Sequence, residues 1–356
     1  MSRYLSSKLA SLTPYTPGEQ PQDLQYVKLN TNESPFPPSK KALEYAAEHQ
    51  RSLNLYPDPT CEELVRRIAM FYRVTKEEVM LTNGSDEALF FSFLAYADEM
   101  HPAVFADITY GFYPVFAEIN RVPYEEVPLR EDLSLRIEDY DDRHGLIVIA
   151  NPNAPTGIAL SMREIDLLLQ RHPDDVVVVD EAYVDFGAES CIQLTKKHDN
   201  LLVVQTFSKS RSMAGARLGF VIGDRRLIRD LNTVRYSFNP YNINSMTMSL
   251  AMGTMLDGNY TLANCLTIEK NREYTVKALR ELGFEMTDSK ANFLFARHKE
   301  IEGGSLYRAL KEKGVLVRHF DKERISDYNR ITIGTKEQMD CLLQAIREIL
   351  AETERE

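Results

Sequence analysis

The sequence is short of cysteine, of basic runs and of long apolar segments, and each shortage excludes a class of protein. Only 4 of the 356 residues are cysteine, and no two of them form a CxxC pair, so neither a zinc site nor a disulfide framework is expected. The formal net charge is -11 with no basic run, which argues against nucleic-acid binding. No apolar run reaches the roughly 18 residues that a membrane helix needs.

Targeting and nucleotide-binding signals are also missing. Residues 1–15, MSRYLSSKLASLTPY, lack the apolar core of a signal peptide, which together with cysteines expected to stay reduced predicts a cytoplasmic protein without membrane contact. No GxGxxG and no GxxxxGK followed by Ser or Thr comes after a predicted strand. This absence argues against the alternative from a different class, a non-catalytic or nucleotide-binding α/β protein. The seven histidines are scattered, so no metal site is predicted.

Short apolar segments alternate with helical segments through the middle of the chain. The runs LIVI (146–149) and VVVV (176–179) are apolar at every position, not at every second one. Strands of this kind are covered on both faces, which indicates a largely parallel sheet between layers of helices. We therefore predict a three-layer α/β domain over residues 41–250.

The two flanks of this domain have a different character. Residues 1–40 are rich in Pro, Thr, Ser and Asn and predict an extended arm that also forms part of a smaller domain. Beyond residue 250, we predict a long helix ending at Gly283, a strand over VLVRHF (315–320) and a terminal helix. These elements predict a small α+β domain over residues 251–356.

Polar residues follow several of the predicted strands, at the edge of the sheet where ligands gather in this architecture. The clusters are Asn83–Asp86, Asn151–Gly157, Asp180–Tyr183 and Ser208–Lys209 with Arg217. Each cluster alone has an ordinary structural explanation, such as a helix cap, a turn or a solvated lysine. Together they place phosphate donors, a carboxylate and an amine at one edge.

Asp180 and Lys209 suggest the chemistry. A carboxylate at the end of a buried strand can pair with a cation such as a protonated pyridine nitrogen. Lys209 lies in a loop of small residues, and a nearby cation such as Arg217 would favour a neutral, imine-forming amine. Ser208 and Arg217 could bind phosphate, as could the helix start at Gly84–Asp86, and Tyr110 could stack on a flat ring.

These segments resemble a known family. NPNAPTG (151–157), VVVVDEAYVDF (176–186) and TFSKSRSMAGARLG (206–219) resemble the fold-type I enzymes that depend on pyridoxal 5'-phosphate, the aspartate aminotransferase superfamily. Within it, KLNTNESPFPPS, YPDPTCEELVRRIA, TNGSDEALFF and RITIGT resemble the histidinol-phosphate aminotransferases. The resemblance spans the chain from about Tyr15 to the C-terminal helix.

The resemblance implies a three-layer fold with a mainly parallel seven-stranded sheet and pyridoxal 5'-phosphate as cofactor. Lys209 would bind the cofactor as a Schiff base and move the substrate proton, and Asp180 would pair with the pyridine nitrogen. Tyr183 would contact the phenolic oxygen, and Tyr110 would stack on the ring. The residues implied to hold the cofactor phosphate are Ser85, Asp86, Ser208 and Arg217.

The resemblance also implies substrate contacts and a homodimer. Arg330 would grip the distal anionic group of the substrate, and Asn32 would belong to the same site. Arg318 and Tyr15 would add phosphate contacts. Tyr56, in YPDP, would reach the cofactor phosphate of the neighbouring subunit.

One position departs from the family pattern. Ala154 stands before Pro-Thr-Gly, where the superfamily usually has an asparagine that contacts the cofactor, and Asn153 precedes it. We expect Asn153 to replace that contact in part. The implied reaction is amino transfer between histidinol phosphate and 2-oxoglutarate; an aromatic aminotransferase or a threonine-phosphate decarboxylase on the same scaffold is the alternative.

Overall fold

The computed structural model describes residues 2–9, 12–21, 23, 25–48 and 52–353. The strands in these residues are β1 Val27–Lys28, β2 Val79–Thr82, β3 Ala103–Ala106, β4 Tyr124–Val127, β5 Leu146–Ala150, β6 Val177–Asp180, β7 Leu201–Thr206, β8 Gly219–Gly223, β9 Phe284–Met286, β10 Phe293–His298, β11 Val315–Leu316, β12 Arg318–His319 and β13 Asn329–Thr332. The α-helices are α1 Lys40–Glu48, α2 Glu62–Tyr72, α3 Gly84–Tyr96, α4 Tyr113–Asn120, α5 Met162–Arg171, α6 Arg225–Phe238, α7 Ser245–Leu256, α8 Gly258–Glu281, α9 Gly303–Glu312 and α10 Lys336–Thr353.

The largest sheet has seven strands in the order β2-β8-β7-β6-β5-β3-β4, and only β8 runs against its neighbours. This confirms the predicted mainly parallel sheet. Successive residues of the apolar runs point to opposite faces. Val177 and Val179 join one apolar cluster and Val178 joins the other. Uniformly apolar strands were the correct signal because both faces are covered by helices.

The edge strand β4 does not show that signal. Its sequence is YEEV, and three of its four residues are exposed. It pairs in parallel with β3 alone. An edge strand with charged side chains resists pairing with a second chain, and for the same reason its sequence has no apolar run.

The C-terminal part packs around a third apolar cluster. Strands β12, β13, β10 and β9 form a four-stranded antiparallel sheet, and the short strand β1 of the arm pairs in parallel with β11. Leu29 of the arm belongs to this cluster together with residues of α8, α9 and α10. Helix α7 packs on the first cluster, whereas α8 packs on the third. We therefore propose a domain boundary between α7 and α8, close to the predicted residue 250.

Two details of this part differ from the sequence-based prediction. The segment VLVRHF is not one strand, because Val315–Leu316 pairs with β1 and Arg318–His319 pairs with β13. The long helix ends at Glu281, two residues before Gly283, whose φ of +87° suits the left-handed turn after a helix. Within the described residues, no helix has both the length and the apolarity to span a bilayer; the cytoplasmic location stays a prediction.

Candidate active site

One cavity lies at the carboxyl ends of the parallel strands. The residues around it are Ser85, Asp86, Tyr110, Ala150, Pro152, Ala154, Asp180, Ala182, Tyr183, Thr206, Ser208, Lys209 and Arg217. Ten of them come from the four predicted clusters, which meet at the same edge of the sheet. Eight of the predicted site residues therefore meet in one place.

Lys209 is half-buried in the loop after β7. Its amine donates a hydrogen bond to the backbone oxygen of Thr31 at 3.2 Å and lies 5.7 Å from the centre of the Tyr183 ring. No carboxylate in the described residues forms an ion pair with this amine. A lysine that is held by a neutral carbonyl oxygen stays available for covalent chemistry.

Asp180 ends β6 and is buried. Its carboxylate accepts hydrogen bonds from the Tyr113 hydroxyl at 3.0 Å and from the Ala182 amide at 3.2 Å. Burial disfavours the charged form and raises the pKa of Asp180 to about 6, although the two hydrogen bonds act in the opposite direction. A buried carboxylate without a cation partner is therefore ready to receive one.

The opposite end of the cavity is suited to an anion. Arg217 donates to the Ser208 hydroxyl at 3.2 Å and to the Asp86 carboxylate at 3.0 Å. Helix α3 begins here, and Asn83 makes no side-chain capping bond to its first turn. A Cβ at Gly84 would lie 2.6 Å from Arg217 Nη2, and one at Gly219 would lie 2.6 Å from the Ser85 nitrogen. Gly84 therefore leaves room for Arg217 beside the helix start, and Gly219 lets β8 approach the helix start itself.

Two tyrosines border the space between these ends. The Tyr110 hydroxyl donates to Asp86 at 2.8 Å. The Tyr183 hydroxyl accepts a hydrogen bond from Asn32 Nδ2 at 3.0 Å. The backbone N–H of Asn32 donates to the Thr332 hydroxyl of β13, and that hydroxyl donates to the side-chain oxygen of Asn32. Asn32 thus links the N-terminal arm, the small sheet and the cavity.

Arg318 and Arg330 are direct cross-strand partners in the β12–β13 pair. Neither forms an ion pair with a carboxylate in the described part of the chain. Arg330 donates to the backbone oxygen of Asn30 at 2.9 Å, and its Nε is buried without a partner among the described residues. Burial lowers the pKa of Arg330, and the positive charge of Arg318 acts in the same direction.

The N-terminal arm closes over this side of the site. The ring of Tyr15 stacks on Phe112 with centroids 4.2 Å apart and lies 6.2 Å from the Tyr110 ring. Arg318 donates to the backbone oxygens of Thr16 and Pro17 at 3.4 and 3.5 Å. The predicted substrate residues Tyr15, Arg318 and Arg330 are therefore adjacent.

Asn153 does not line the cavity with the others. Its side-chain nitrogen donates to the Ile108 oxygen at 2.9 Å and to Thr156 at 3.1 Å, and its side-chain oxygen accepts from Thr109 at 2.7 Å. All of its polar atoms thus serve the loop, while Ala154 faces the cavity. The structure offers no support for the expected replacement of the missing asparagine.

Tyr56 also lies apart from the cavity of its own chain. It is 81% exposed and stacks on Tyr241 with centroids 4.6 Å apart. This position is compatible with a contact to another subunit, which stays a prediction.

Sequence reasoning missed Tyr113 and Thr31. Tyr113 starts α4 and is fully buried, so its pattern is that of an ordinary core aromatic; nothing in the sequence singles out its bond to Asp180. Thr31 acts through its backbone oxygen, which any residue would supply. Neither contact has a side-chain signature.

At the other end of β5 and β6, three possible metal ligands meet in His144, His172 and Asp175. They are hydrogen-bonded to one another, with both histidine Nδ1 atoms within 3.1 Å of Asp175 Oδ2. Burial opposes ionisation of Asp175, but bonds from the Gly145 amide and the two histidines outweigh it and hold its pKa below the usual range. This cluster links the segments that precede β5 and β6, at the edge of the sheet opposite the cavity.

The residues around the cavity fit pyridoxal 5'-phosphate. The helix start, Ser208 and Arg217 suit a phosphate, and the buried Asp180 suits a protonated ring nitrogen. Lys209 lines the same cavity as both of these ends. A flat ligand with an anionic group at one end and a cationic nitrogen at the other matches this donor set.

Comparisons with known proteins agree with this geometry. Residues 25–346 match the family model for aminotransferases of class I and II. The chain is 44% identical over 351 residues to the histidinol-phosphate aminotransferase of Clostridium botulinum strain Okra, which covers 98% of this chain and 99% of that protein. It is 47% identical over 350 residues to histidinol-phosphate aminotransferase 1 of Bradyrhizobium diazoefficiens, covering 98% and 100%.

Solved structures share the fold. The histidinol-phosphate aminotransferase of Sinorhizobium meliloti in complex with pyridoxal-5'-phosphate superposes with a TM-score of 0.82. The match is 20% identical in sequence and covers 90% of this chain and 91% of that one. At this identity, the similarity supports the architecture alone.

Proposed function

This chain belongs to the class I and II aminotransferases, and on that premise we propose that it moves an amino group between histidinol phosphate and 2-oxoglutarate in histidine biosynthesis. The names of relatives that are 44–47% identical over nearly the full length support this choice of substrate. Pyridoxal 5'-phosphate is the cofactor, held by the residues of the cavity.

The observation that carries the substrate proposal is the pairing of Arg318 with Arg330. Like charges directly opposite each other on neighbouring strands repel, and here no carboxylate in the described residues neutralises them. An anionic substrate group between them would supply the missing charge and would bond to the free Arg330 Nε. A phosphate ester suits such a site well.

The chain's residues divide the chemical work. When bound, pyridoxal 5'-phosphate supplies a protonated ring that withdraws electrons from the substrate's Cα. Asp180 stabilises the positive charge on the ring nitrogen, and Tyr183 with Asn32 orients the opposite edge. The Lys209 amine would take the Cα proton as general base and deliver it as general acid to C4′ of the cofactor. The amino group stays with the enzyme while the first product leaves and the second substrate binds, so we expect ping-pong kinetics.

Arg330→Ala should raise the KM for histidinol phosphate at least about 30-fold, since losing one partner of a desolvated charge pair costs roughly 2–5 kcal/mol. The KM for histidinol, which lacks the phosphate, should change much less. Steady-state kinetics with both amines measures the difference.

The matched control is Arg297→Ala. Arg297 lies on β10 of the same small sheet, but it pairs with Glu285 at 2.9 Å, and its loss should leave both KM values near those of the unsubstituted enzyme. An unchanged KM for histidinol phosphate in Arg330→Ala would remove Arg330 from the substrate site.

A panel of histidinol phosphate, phenylalanine and threonine phosphate tests the proposed reaction against its alternatives. Conversion of the cofactor absorbance to the pyridoxamine form by histidinol phosphate and by glutamate is the expected result. Release of carbon dioxide from threonine phosphate, or a preference for phenylalanine, would redirect the proposal to the decarboxylase or the aromatic aminotransferase.

We also propose a homodimer in which Tyr56 completes the partner's site. Leu55, next to Tyr56 in the chain, is 65% exposed, and Tyr241, on which Tyr56 stacks, is 41% exposed. Exposed apolar side chains that lie together mark protein interfaces. Within the described residues no hydrogen bond occupies the Tyr56 hydroxyl, which can then bond to a phosphate across that interface.

Mixing two inactive variants tests this arrangement. Lys209→Ala lacks the amine, and Tyr56→Ala lacks the contact that we assign to the neighbouring site. In a mixed dimer one site has both residues, so co-refolding should restore about a quarter of normal turnover. Mixing that restores nothing, or a monomer in sedimentation, would contradict the shared site. Tyr274→Ala, a surface tyrosine bonded to Asp340, should be active alone.

A further inference from the structure

A buried chain of hydrogen bonds runs beneath the turn that carries Lys209. Arg211 donates through Nη1 to Asp185 Oδ2 at 3.2 Å and through Nη2 to the Tyr72 hydroxyl at 2.7 Å. The Tyr72 hydroxyl donates to Gln205 Oε1 at 2.6 Å, and Gln205 Nε2 donates to Glu181 Oε2 at 2.8 Å. We call these five residues the buried network; it links two carboxylates through one cation.

The buried network is attached to the active-site segments without entering the cavity. Its members adjoin cavity residues in the pairs Glu181 with Asp180, Asp185 with Tyr183, Gln205 with Thr206, and Arg211 with Lys209. None of the five network residues lines the cavity. Any effect that they have on the chemistry must therefore pass through their neighbours.

Arg211 is an unusual residue to find in this position. It is 6% exposed, and its guanidinium carbon lies 5.0 and 5.8 Å from the ring centres of Phe207 and Phe220. A buried charge must be desolvated, and an apolar core of the same shape is often equally stable. The bonds of Arg211, however, join the turn of Lys209 to the turn of Tyr183. Asp185, in the turn of Tyr183, accepts hydrogen bonds from Arg211 and from the Ser210 hydroxyl, and both donors follow Lys209 directly.

We propose that Arg211 is a positioning residue that, together with Asp185, locks the turn of Lys209 against the turn of Tyr183. The inference rests on the proposed use of Lys209. Two consecutive residues after Lys209, Ser210 and Arg211, bond to the same carboxylate oxygen, so the start of the lysine side chain cannot rotate away. We call the bonds of Ser210 and Arg211 to Asp185 the clamp; it sets the distance of the Lys209 amine from Asp180 and Tyr183.

The test uses Arg211→Lys and Asp185→Asn in the holoenzyme without substrate. The charge of Asp180 and the hydroxyl of Tyr183 tune the protonation of the bond between Lys209 and the cofactor, so moving the amine changes the midpoint of its absorbance titration. We expect each variant to shift that midpoint by at least about half a pH unit. The double variant should shift it no further, because both residues act through one contact.

A second readout needs no cofactor. In the apoprotein, amide hydrogen exchange at residues 207–212 should be faster in both variants than in the unsubstituted chain. The matched control is Asp175→Asn, the same change in a buried hydrogen-bonded cluster at the other end of β6. It should lower the melting temperature while leaving the titration midpoint and the exchange at residues 207–212 unchanged.

The outcomes separate the inference from the proposed function. Variants that lose stability like Asp175→Asn, with an unmoved midpoint and unchanged exchange, would show a structural role only and would overturn the clamp. An unsubstituted protein that shows no titrating cofactor band would refute the proposed function itself and the clamp with it. If Arg211→Lys fails to fold, Ser210→Ala removes one bond to Asp185 and should shift the midpoint in the same direction as Asp185→Asn does.

Discussion

Replacing Lys209 with alanine should lower turnover at least about 10⁴-fold, because one amine acts as both the covalent attachment point and the proton carrier. In the described residues this amine makes one hydrogen bond, to the Thr31 backbone oxygen. Removing the amine therefore leaves the surrounding contacts in place. The cofactor should still bind, but borohydride should no longer attach it to the protein. Peptide mass spectrometry after reduction and steady-state kinetics measure the two effects.

Lys196→Ala is the matched control. Lys196 is exposed, and its amine bonds to Gln193 on the surface, so this variant should keep full turnover and full borohydride labelling. Turnover of Lys209→Ala within tenfold of the unsubstituted enzyme, or labelling of another lysine, would refute the assignment of Lys209.

Asp180→Asn should lower activity but raise the stability of the apoprotein. It should lower turnover roughly 100- to 1000-fold, because a neutral amide cannot stabilise positive charge on the ring nitrogen. It should also stabilise the apoprotein at alkaline pH. The same burial that prepares Asp180 for a cation makes its charge costly while no cation is bound.

The sign of the stability effect follows from the pKa. The folded pKa of about 6 lies above the usual aspartate value of 3.8, so the folded state binds more protons than the unfolded state between these values. The cost of charging Asp180 is absent below pH 4, grows through this window and is complete above pH 6. At pH 8, Asp180→Asn should therefore raise the unfolding free energy of the apoprotein by up to about 3 kcal/mol.

Urea unfolding of the apoprotein at pH 5 and pH 8 measures this prediction. Asp175→Asn should behave in the opposite way, because hydrogen bonds hold the pKa of Asp175 below its usual range. The charge of Asp175 contributes stability that is present at neutral pH and lost as the pH falls through its folded pKa. Asp180→Asn that destabilises the apoprotein at pH 8 would show that its carboxylate already has a cation partner.

Together, the two variants distinguish a site residue from a structural one. Asp180 is the last residue of β6, Asp175 lies two residues before β6 begins, and both are buried. Asp175→Asn should lower stability, because hydrogen-bond donors hold the charged form of Asp175. Asp180→Asn should raise stability at pH 8, because the buried charge of Asp180 has no cation partner among the described residues. A residue whose removal stabilises the protein but abolishes its activity is retained for function.

What the sequence determined by itself was local or repeated in pattern. The fully apolar runs of β5 and β6 specified strands covered on both faces, and polar residues directly after them specified which ends of the strands would form a site. Asp180 could be predicted in this way, as could Ser208 and Lys209 after β7, because chain direction in a parallel sheet already places strand ends together. Arg217 precedes the antiparallel strand β8, whose start lies at the same edge.

Only the tertiary structure decided the contacts that depend on strand register and on packing between distant segments. The opposition of Arg318 and Arg330 follows from the β12–β13 register, and the split of VLVRHF follows from pairing with two different strands. The bond of Tyr113 to Asp180 and the burial of the Asn153 amide in its own loop join residues whose types also suit a core or a turn. Side-chain direction in such places is set by neighbours far along the chain, and no local pattern encodes it.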